Sequence, residues 1–210
     1  MTADTHSQMI NKASAVTIEA PEHREFRAEV AAWLEHNRPA DPGFLLPQTF
    51  MEVGSERVLD FLRQWQYKVW SSGYLGMAWP EKYGGRGMAP VYQSIADQEM
   101  KRLRVPICFN VIGLGWAGPL IMDIGSDYEK DKHLKGILNA DDIWCQGFSE
   151  PNHGSDLGSI QTKAERDGSD YVLNGSKIWT TMGNYAKYMI LLARTDAHAR
   201  RCAREGSYIW

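Results

Sequence analysis

Residues 144–181 read WCQGFSEPNHGSDLGSIQTKAERDGSDYVLNGSKIWTT, and the spacing of their apolar side chains decides the fold. Ile160, Thr162 and Ala164 alternate with Gln161, Lys163 and Glu165, a period of two that turns one face of a strand inward. Asp167-Gly168 makes a turn and Tyr171-Val172-Leu173 follows. Asn174-Gly175 is a two-residue hairpin signal, which predicts a returning strand from Lys177 to Thr181. Tyr188 to Ala193 is a nearly unbroken apolar run suited to a buried strand, and Tyr208-Ile209-Trp210 begins another. At the front of the window, Cys145 to Leu157 reads as a strand end, a sharp turn, and a loop rich in backbone donors and hydroxyls. Such loops suit anionic or heteroaromatic ligands, because free N–H groups can face ring carbonyls and phosphate oxygens. An ordinary turn capped by Ser155 or Asp156 explains the composition equally well.

Before Ala140 the period is helical. Pro21 fits a first turn, with Phe26, Val30, Trp33 and Leu34 on one face and Pro39 as the stop. Ser55 caps a second helix carrying Val58, Leu62, Trp65 and Val69 and ending at Gly73. A third runs from Pro90 through Val91 and Ile95 to about Arg104. Val111 to Ile124 is a further apolar stretch, interrupted by glycines. Ser126 and Glu129 form a capping box for a helix burying Leu134, Ile137 and Leu138. The expected fold is α+β: a disordered tail over 1–15, an all-α helical domain over 16–140, and an incomplete antiparallel β-barrel-like domain over 141–210. A sheet that stops in mid-strand at Trp210 leaves an edge of unpaired N–H and C=O groups.

The 210 residues are 43% hydrophobic and 23% charged with a formal charge of −3, an ordinary globular composition. Nothing in it calls for nucleic acid or a membrane surface, both of which favour clustered Lys and Arg. The densest basic stretch, Arg194 to Arg204, is interrupted by Asp196 and reads as a solvated loop. Cys108, Cys145 and Cys202 lie too far apart for a disulfide framework or a paired metal site. The polar start, Met1 to Ser14, lacks the apolar core of a signal peptide. No apolar run approaches the roughly 20 residues of a membrane helix, so the expected location is the cytoplasm. Eight tryptophans suit deep packing or flat ligands equally well.

Gly113-Leu114-Gly115-Trp116-Ala117-Gly118 matches the glycine fingerprint of dinucleotide-binding folds. That fingerprint needs a strand before it, and a second strand ending in Asp or Glu about 20 residues later. Here Pro119 follows at once and a capped helix occupies the window, so a nicotinamide site is not expected. Small residues that let helices or a ligand approach closely are the simpler reading. The six histidines are scattered and read as surface residues, except His153.

Ser149-Glu150-Pro151-Asn152-His153-Gly154-Ser155-Asp156 resembles the middle-domain signature of the acyl-CoA dehydrogenase family, with His153 standing where a small residue is usual. Asn174-Gly175-Ser176-Lys177-Ile178-Trp179-Thr180-Thr181 is similar to that family's Asn-Gly-x-Lys-x-Trp-Ile-Thr segment. Upstream, Pro80-Glu81-Lys82-Tyr83-Gly84-Gly85-Arg86-Gly87 resembles its Pro-x-x-Tyr-Gly-Gly-x-Gly loop. The likeness runs from about Gly73 to the end.

The resemblance implies FAD as cofactor. Gln146, Gly147, Phe148 and Ser149 would present backbone and hydroxyl groups to the polar edge of the isoalloxazine, with Ser149 the side-chain donor. Ser155 would lie near the flavin pyrophosphate and the pantetheine arm of the thioester substrate, and His153 beside the adenine or pyrophosphate end. Trp179 would stack on the flavin face away from substrate. Thr180 belongs to the same segment, and Thr181 would donate its hydroxyl toward the flavin N5. Period-two alternation would put Trp179 and Thr181 on one face. Glu150 is expected to satisfy backbone donors in the turn.

The implied reaction is α,β-desaturation of an acyl-CoA, with electrons passed to an electron-transferring flavoprotein or a similar acceptor, in a homo- or hetero-oligomer. The family's base is a Glu from a C-terminal helical domain, expected beyond Trp210, so this chain alone is expected to be inactive and poorly folded. A flavin oxidase or monooxygenase on the same scaffold, and a non-catalytic flavin-binding subunit or remnant, stay open as alternatives. The glycines at 113, 115 and 118 either widen an acyl pocket or permit close packing.

Overall fold

A computed structural model gives the fold, describing residues 19–195 and the backbone of 208–209. The 1–15 tail, Cys202 and the basic stretch past Thr195 lie outside the described residues. Helix α1 (Pro21–Asn37) starts on Pro21 and buries Phe26, Val30 and Leu34. Helix α2 (Glu56–Ser71) is capped by Ser55, whose hydroxyl accepts from the Val58 N–H, and it buries Leu59, Leu62, Trp65, Gln66 and Val69. Helix α3 (Pro90–Arg102) buries Ile95 but leaves Val91 exposed. It ends with Val105 N–H on the Met100 carbonyl and Arg104 N–H on that of Lys101, both at 3.2 Å, a closure that puts Arg104 at φ 50°.

A π-turn, Gly113–Ala117, runs straight into α4 (Gly118–Ile124). Ile112, ahead of it, is itself helical, so the strand a dinucleotide site needs is absent there. Helix α5 (Asp127–Leu138) has the capping box in full and buries Leu134, Ile137 and Leu138. One cluster joins Val30, Leu34, Trp65, Met77 and Ile95 between α1, α2 and α3. Burying each such side chain contributes about 1.5–3 kcal/mol.

Strands follow: β1 (Trp144–Gly147), β2 (Lys163–Asp167), β3 (Asp170–Asn174), β4 (Tyr188–Leu192) and β5 (Tyr208–Ile209). β2 and β3 pair antiparallel around Gly168, which takes φ 63°. β4 pairs antiparallel with β5, but β1 and β4 are parallel, Trp144 opposite Tyr188 and Gly147 opposite Leu191. The antiparallel expectation is corrected there: a long crossover, not a hairpin, joins β1 to β4, and such a connection allows parallel pairing. The Lys163–Arg194 bridge ties the β2–β3 hairpin to the other sheet, and no closed barrel forms among the described residues.

The predicted Asn174-Gly175 hairpin and the strand at Lys177 to Thr181 do not form. Trp179 and Met182 have φ of 57° and 68°, which breaks the pleat. Gly175 packs against Thr162 so closely that a Cβ would lie 2.3 Å from its hydroxyl. Helices α4 and α5 seat on the β1–β4 pair through Ile121, Leu134, Ile137, Trp144 and Ile190.

Candidate functional site

β1 leaves its sheet at Gly147 and continues through Phe148 and Ser149 into a turn closed by reciprocal backbone bonds between Glu150 and His153. Glu150 organises this turn. Its buried carboxylate accepts from the Gln161 N–H at 2.6 Å, the Thr162 N–H at 2.8 Å, the Thr162 hydroxyl at 2.5 Å and the Lys177 ammonium at 2.9 Å. Burial alone pushes such a carboxyl up. Here the Thr162 hydroxyl, the Gln161 N–H and Lys177 outweigh it and hold Glu150 down at about 2. Lys177, itself buried, also donates to the Phe148 carbonyl at 3.0 Å, and Ile178 N–H donates to that of Ser149 at 2.9 Å. The 177–181 segment is thereby clamped along the end of β1 without joining its ladder.

The clamp shapes a cavity of about 190 Å³ lined by Phe50, Ile112, Gln146, Phe148, Ser149, Ile178, Trp179 and Thr181. Trp179 is 85% exposed, an apolar face with almost nothing packed on it. The hydroxyls of Ser149 and Thr181 have no hydrogen-bond partner among the described residues. Phe148 meets the indole of Trp116 edge-to-face with centroids 6.0 Å apart, which ties this wall to the π-turn. No lining residue is acidic. A floor of apolar rings, two uncommitted hydroxyls, an amide and an open indole suit a flat heteroaromatic ligand with polar atoms along one edge.

Of the residues singled out from the sequence, Gln146, Phe148, Ser149, Trp179 and Thr181 line this one cavity. Trp179 and Thr181 reach it through a turn, since strand alternation does not hold there. Gly147 is buried in β1, where a Cβ would lie 2.4 Å from the Met189 sulfur, and it is not among the residues lining the cavity. Thr180 lies outside the cavity and accepts the Gly183 N–H at 3.0 Å. Ser155 is exposed on the turn after Glu150, also outside the cavity. Ile178, inside the 174–181 motif, is not among the residues singled out, and Phe50 and Ile112 are lining residues that sequence reasoning missed altogether. They are ordinary apolar positions in distant segments, and only the folded chain brings them here. Among the described residues no group of side chains could hold a metal ion, and no helix is long and apolar enough to cross a membrane.

Known proteins share this arrangement of segments. Residues 20–141 match the family model of the acyl-CoA dehydrogenase N-terminal domain, and residues 145–208 that of its middle domain. The chain is 34% identical over 183 residues to acyl-CoA dehydrogenase IpdE1 of Mycobacterium tuberculosis, covering 85% of this chain and 46% of that protein. Among solved structures, the Tcur3481-Tcur3483 steroid ACAD superposes with a TM-score of 0.70 at 36% identity, covering 86% of this chain and 45% of that one. A glutaryl-CoA dehydrogenase from Mycobacterium smegmatis in complex with FADH2 superposes at 0.58 with 26% identity, covering 85% and 44%. The chain spans about half the length of the curated relatives it matches. With one family model covering the helices and a second covering the clamped strand end, the chain belongs to the acyl-CoA dehydrogenase family.

Proposed function

We propose that this chain supplies the flavin-facing wall of an FAD-dependent dehydrogenase that desaturates an acyl-CoA thioester between its α and β carbons. The observation that carries the proposal is the convergence of the Ser149 and Thr181 hydroxyls, the Gln146 side chain and the exposed Trp179 indole on one cavity. Bound FAD supplies a two-electron acceptor. Ser149 and Gln146 offer hydrogen-bonding groups to the polar edge of its ring, and fixed donors there favour a ring that gains charge. Thr181 donates from the neighbouring side, and Trp179 offers a broad apolar face. Phe50, Ile112 and Phe148 keep water off the opposite wall.

None of the residues lining the cavity is acidic and Glu150 is engaged as a buried clamp, so this reading takes its proton-abstracting carboxylate from elsewhere. Gly147 and Thr180 support the same wall through packing and backbone bonds, and Ser155 meets the pyrophosphate end of the cofactor and the pantetheine arm. The further partners are an acyl-CoA, an electron-transferring flavoprotein or similar acceptor, and a second subunit, in the cytoplasm. A bulky acyl group is favoured by the relative at 36% identity described as a steroid ACAD, while Gly113 and Gly118 serve close packing against Asn110 and Trp79.

Titrating the chain with FAD, read by flavin fluorescence anisotropy, tests this. Saturable binding is expected, about tenfold weaker in Trp179→Ala, where the stacking face is lost, and several-fold weaker in Ser149→Ala and Thr181→Val. Equal affinity across all four proteins, or no binding, would overturn the assignment.

A further inference from the structure

A second cavity is lined by residues between Arg38 and Gln48 together with Phe61, Arg104 and Pro106. It measures about 430 Å³, within the roughly 300–1,000 Å³ range of small-molecule sites. Its body is apolar, with Phe44, Leu46, Phe61 and Pro106 among its walls, and it shares no lining residue with the cavity that holds Trp179. Arg38 and Arg104 are both among its lining residues.

Arg38 spends one nitrogen on the Leu103 carbonyl and, at 3.4 Å, on that of Arg104, and this leaves the rest of its donor fork free. Arg104 is the unusual one. It occupies the left-handed position that closes α3, at φ 50°, where glycine is the ordinary residue. Its side chain has no hydrogen-bond or ion-pair partner among the described residues. A large cation therefore sits at a backbone position that disfavours it, at the edge of an apolar cavity, with no partner among the described residues. The one acid on the lining, Asp41, accepts the Gly43 N–H at 2.9 Å. Arg57 lies over the Phe44 ring, its guanidinium carbon 5.3 Å from the ring centre, and adds positive charge near that wall.

We infer that this cavity is a binding site for an organic carboxylate with an apolar tail, the carboxylate taken by Arg104 and Arg38 and the tail laid against Phe44, Leu46 and Phe61. Guanidinium groups bind carboxylates through paired N–H donors, and an apolar body alone would give no preference for charge. The inference is independent of the flavin proposal, because it uses none of the same residues.

Octanoate is the probe. Isothermal titration of the whole chain with octanoate is expected to show one site, with 1-octanol and octylammonium binding at least about tenfold more weakly. Arg104→Gly is the decisive variant, since glycine relaxes the left-handed backbone and leaves the fold intact. It is expected to keep the melting temperature or raise it while weakening octanoate about tenfold, and Arg104→Lys is expected to fall between. FMN is expected not to displace octanoate. Unchanged affinity in Arg104→Gly, equal binding of 1-octanol, or displacement by FMN would each overturn the inference, the last by moving octanoate to the cavity beside Trp179.

Discussion

Glu150 shows how a residue that looks catalytic can be structural. Four donors surround a carboxylate only 4% exposed, and its Lys177 partner is 7% exposed. Folding lowers its pKa from the usual carboxylate value near ~4.3 to about 2. The stabilisation it gives is therefore present above pH ~4.5 and fades as pH falls toward ~2. Glu150→Gln keeps the shape but strands a buried ammonium, and is expected to cost about 3 kcal/mol at neutral pH. Urea unfolding at pH 7, 4 and 2.5 should show the gap between the two proteins shrinking with acid; a constant gap would count against the clamp. Trp179 makes the opposite case. An exposed indole at φ 57° holds a conformation that costs a non-glycine residue roughly 1 kcal/mol. Trp179→Gly is expected to hold or raise folding stability, by up to about 1 kcal/mol, while flavin affinity drops. A loss of stability would mean that the indole packs against something and is not a free platform.

At the scale of elements, glycines that look alike in the sequence separate by what surrounds them. A Cβ on Gly85 would lie 2.1 Å from the Trp79 carbonyl oxygen, and one on Gly118 would lie 2.2 Å from the Trp79 ring. A Cβ on Gly115 would meet nothing within 4 Å. Gly85→Ala and Gly118→Ala are expected to lose about 1–3 kcal/mol. Gly115→Ala should be neutral or gain up to about 1 kcal/mol in a helical turn, and thermal denaturation of the three variants checks the split. Trp79 is thus the post around which the Pro80–Gly87 loop and the start of α4 are fitted. The sequence made the helices legible because their information is local: Ser55 and the Ser126–Glu129 pair write their own caps, and Phe26, Val30 and Leu34 write one face. The segment after β3 departs from its sequence pattern for the complementary reason. Asn174-Gly175 is a real turn signal, but the bonds that decide this segment, Lys177 to Glu150 and Ile178 to Ser149, bridge more than two dozen positions. Five of the eight proposed site residues still fall on one cavity, because the motif marks the clamp even where the element is misassigned.

Across the whole molecule, one buried amide links the helices to the strand that carries the site. Asn110 is 2% exposed; its Nδ2 donates to the carbonyls of Ile137 at 3.1 Å and Asp142 at 2.9 Å, and its Oδ1 accepts the Trp144 N–H at 3.1 Å. Its own N–H donates to Gln66 Oε1 at 3.2 Å, and Gln66 Nε2 caps the Ile137 and Leu138 carbonyls. The end of α5, the first residue of β1 and the middle of α2 therefore meet at a fully satisfied polar centre. The position of Gln146 and Ser149 follows from where β1 begins. Asn110→Ala would leave the Trp144 N–H and the Asp142 carbonyl without partners in a dry interior, at an expected cost of about 2–4 kcal/mol. That loss belongs to the junction more than to the helices, so amide hydrogen exchange should speed up by about 30-fold or more in β1 and β4. The α1 and α3 amides should change far less, and flavin affinity should fall with the strand. Uniform acceleration along α1 and β1 alike would mean that Asn110 adds only to global stability, and that hydrophobic packing through Ile137, Trp144 and Ile190 sets the junction by itself.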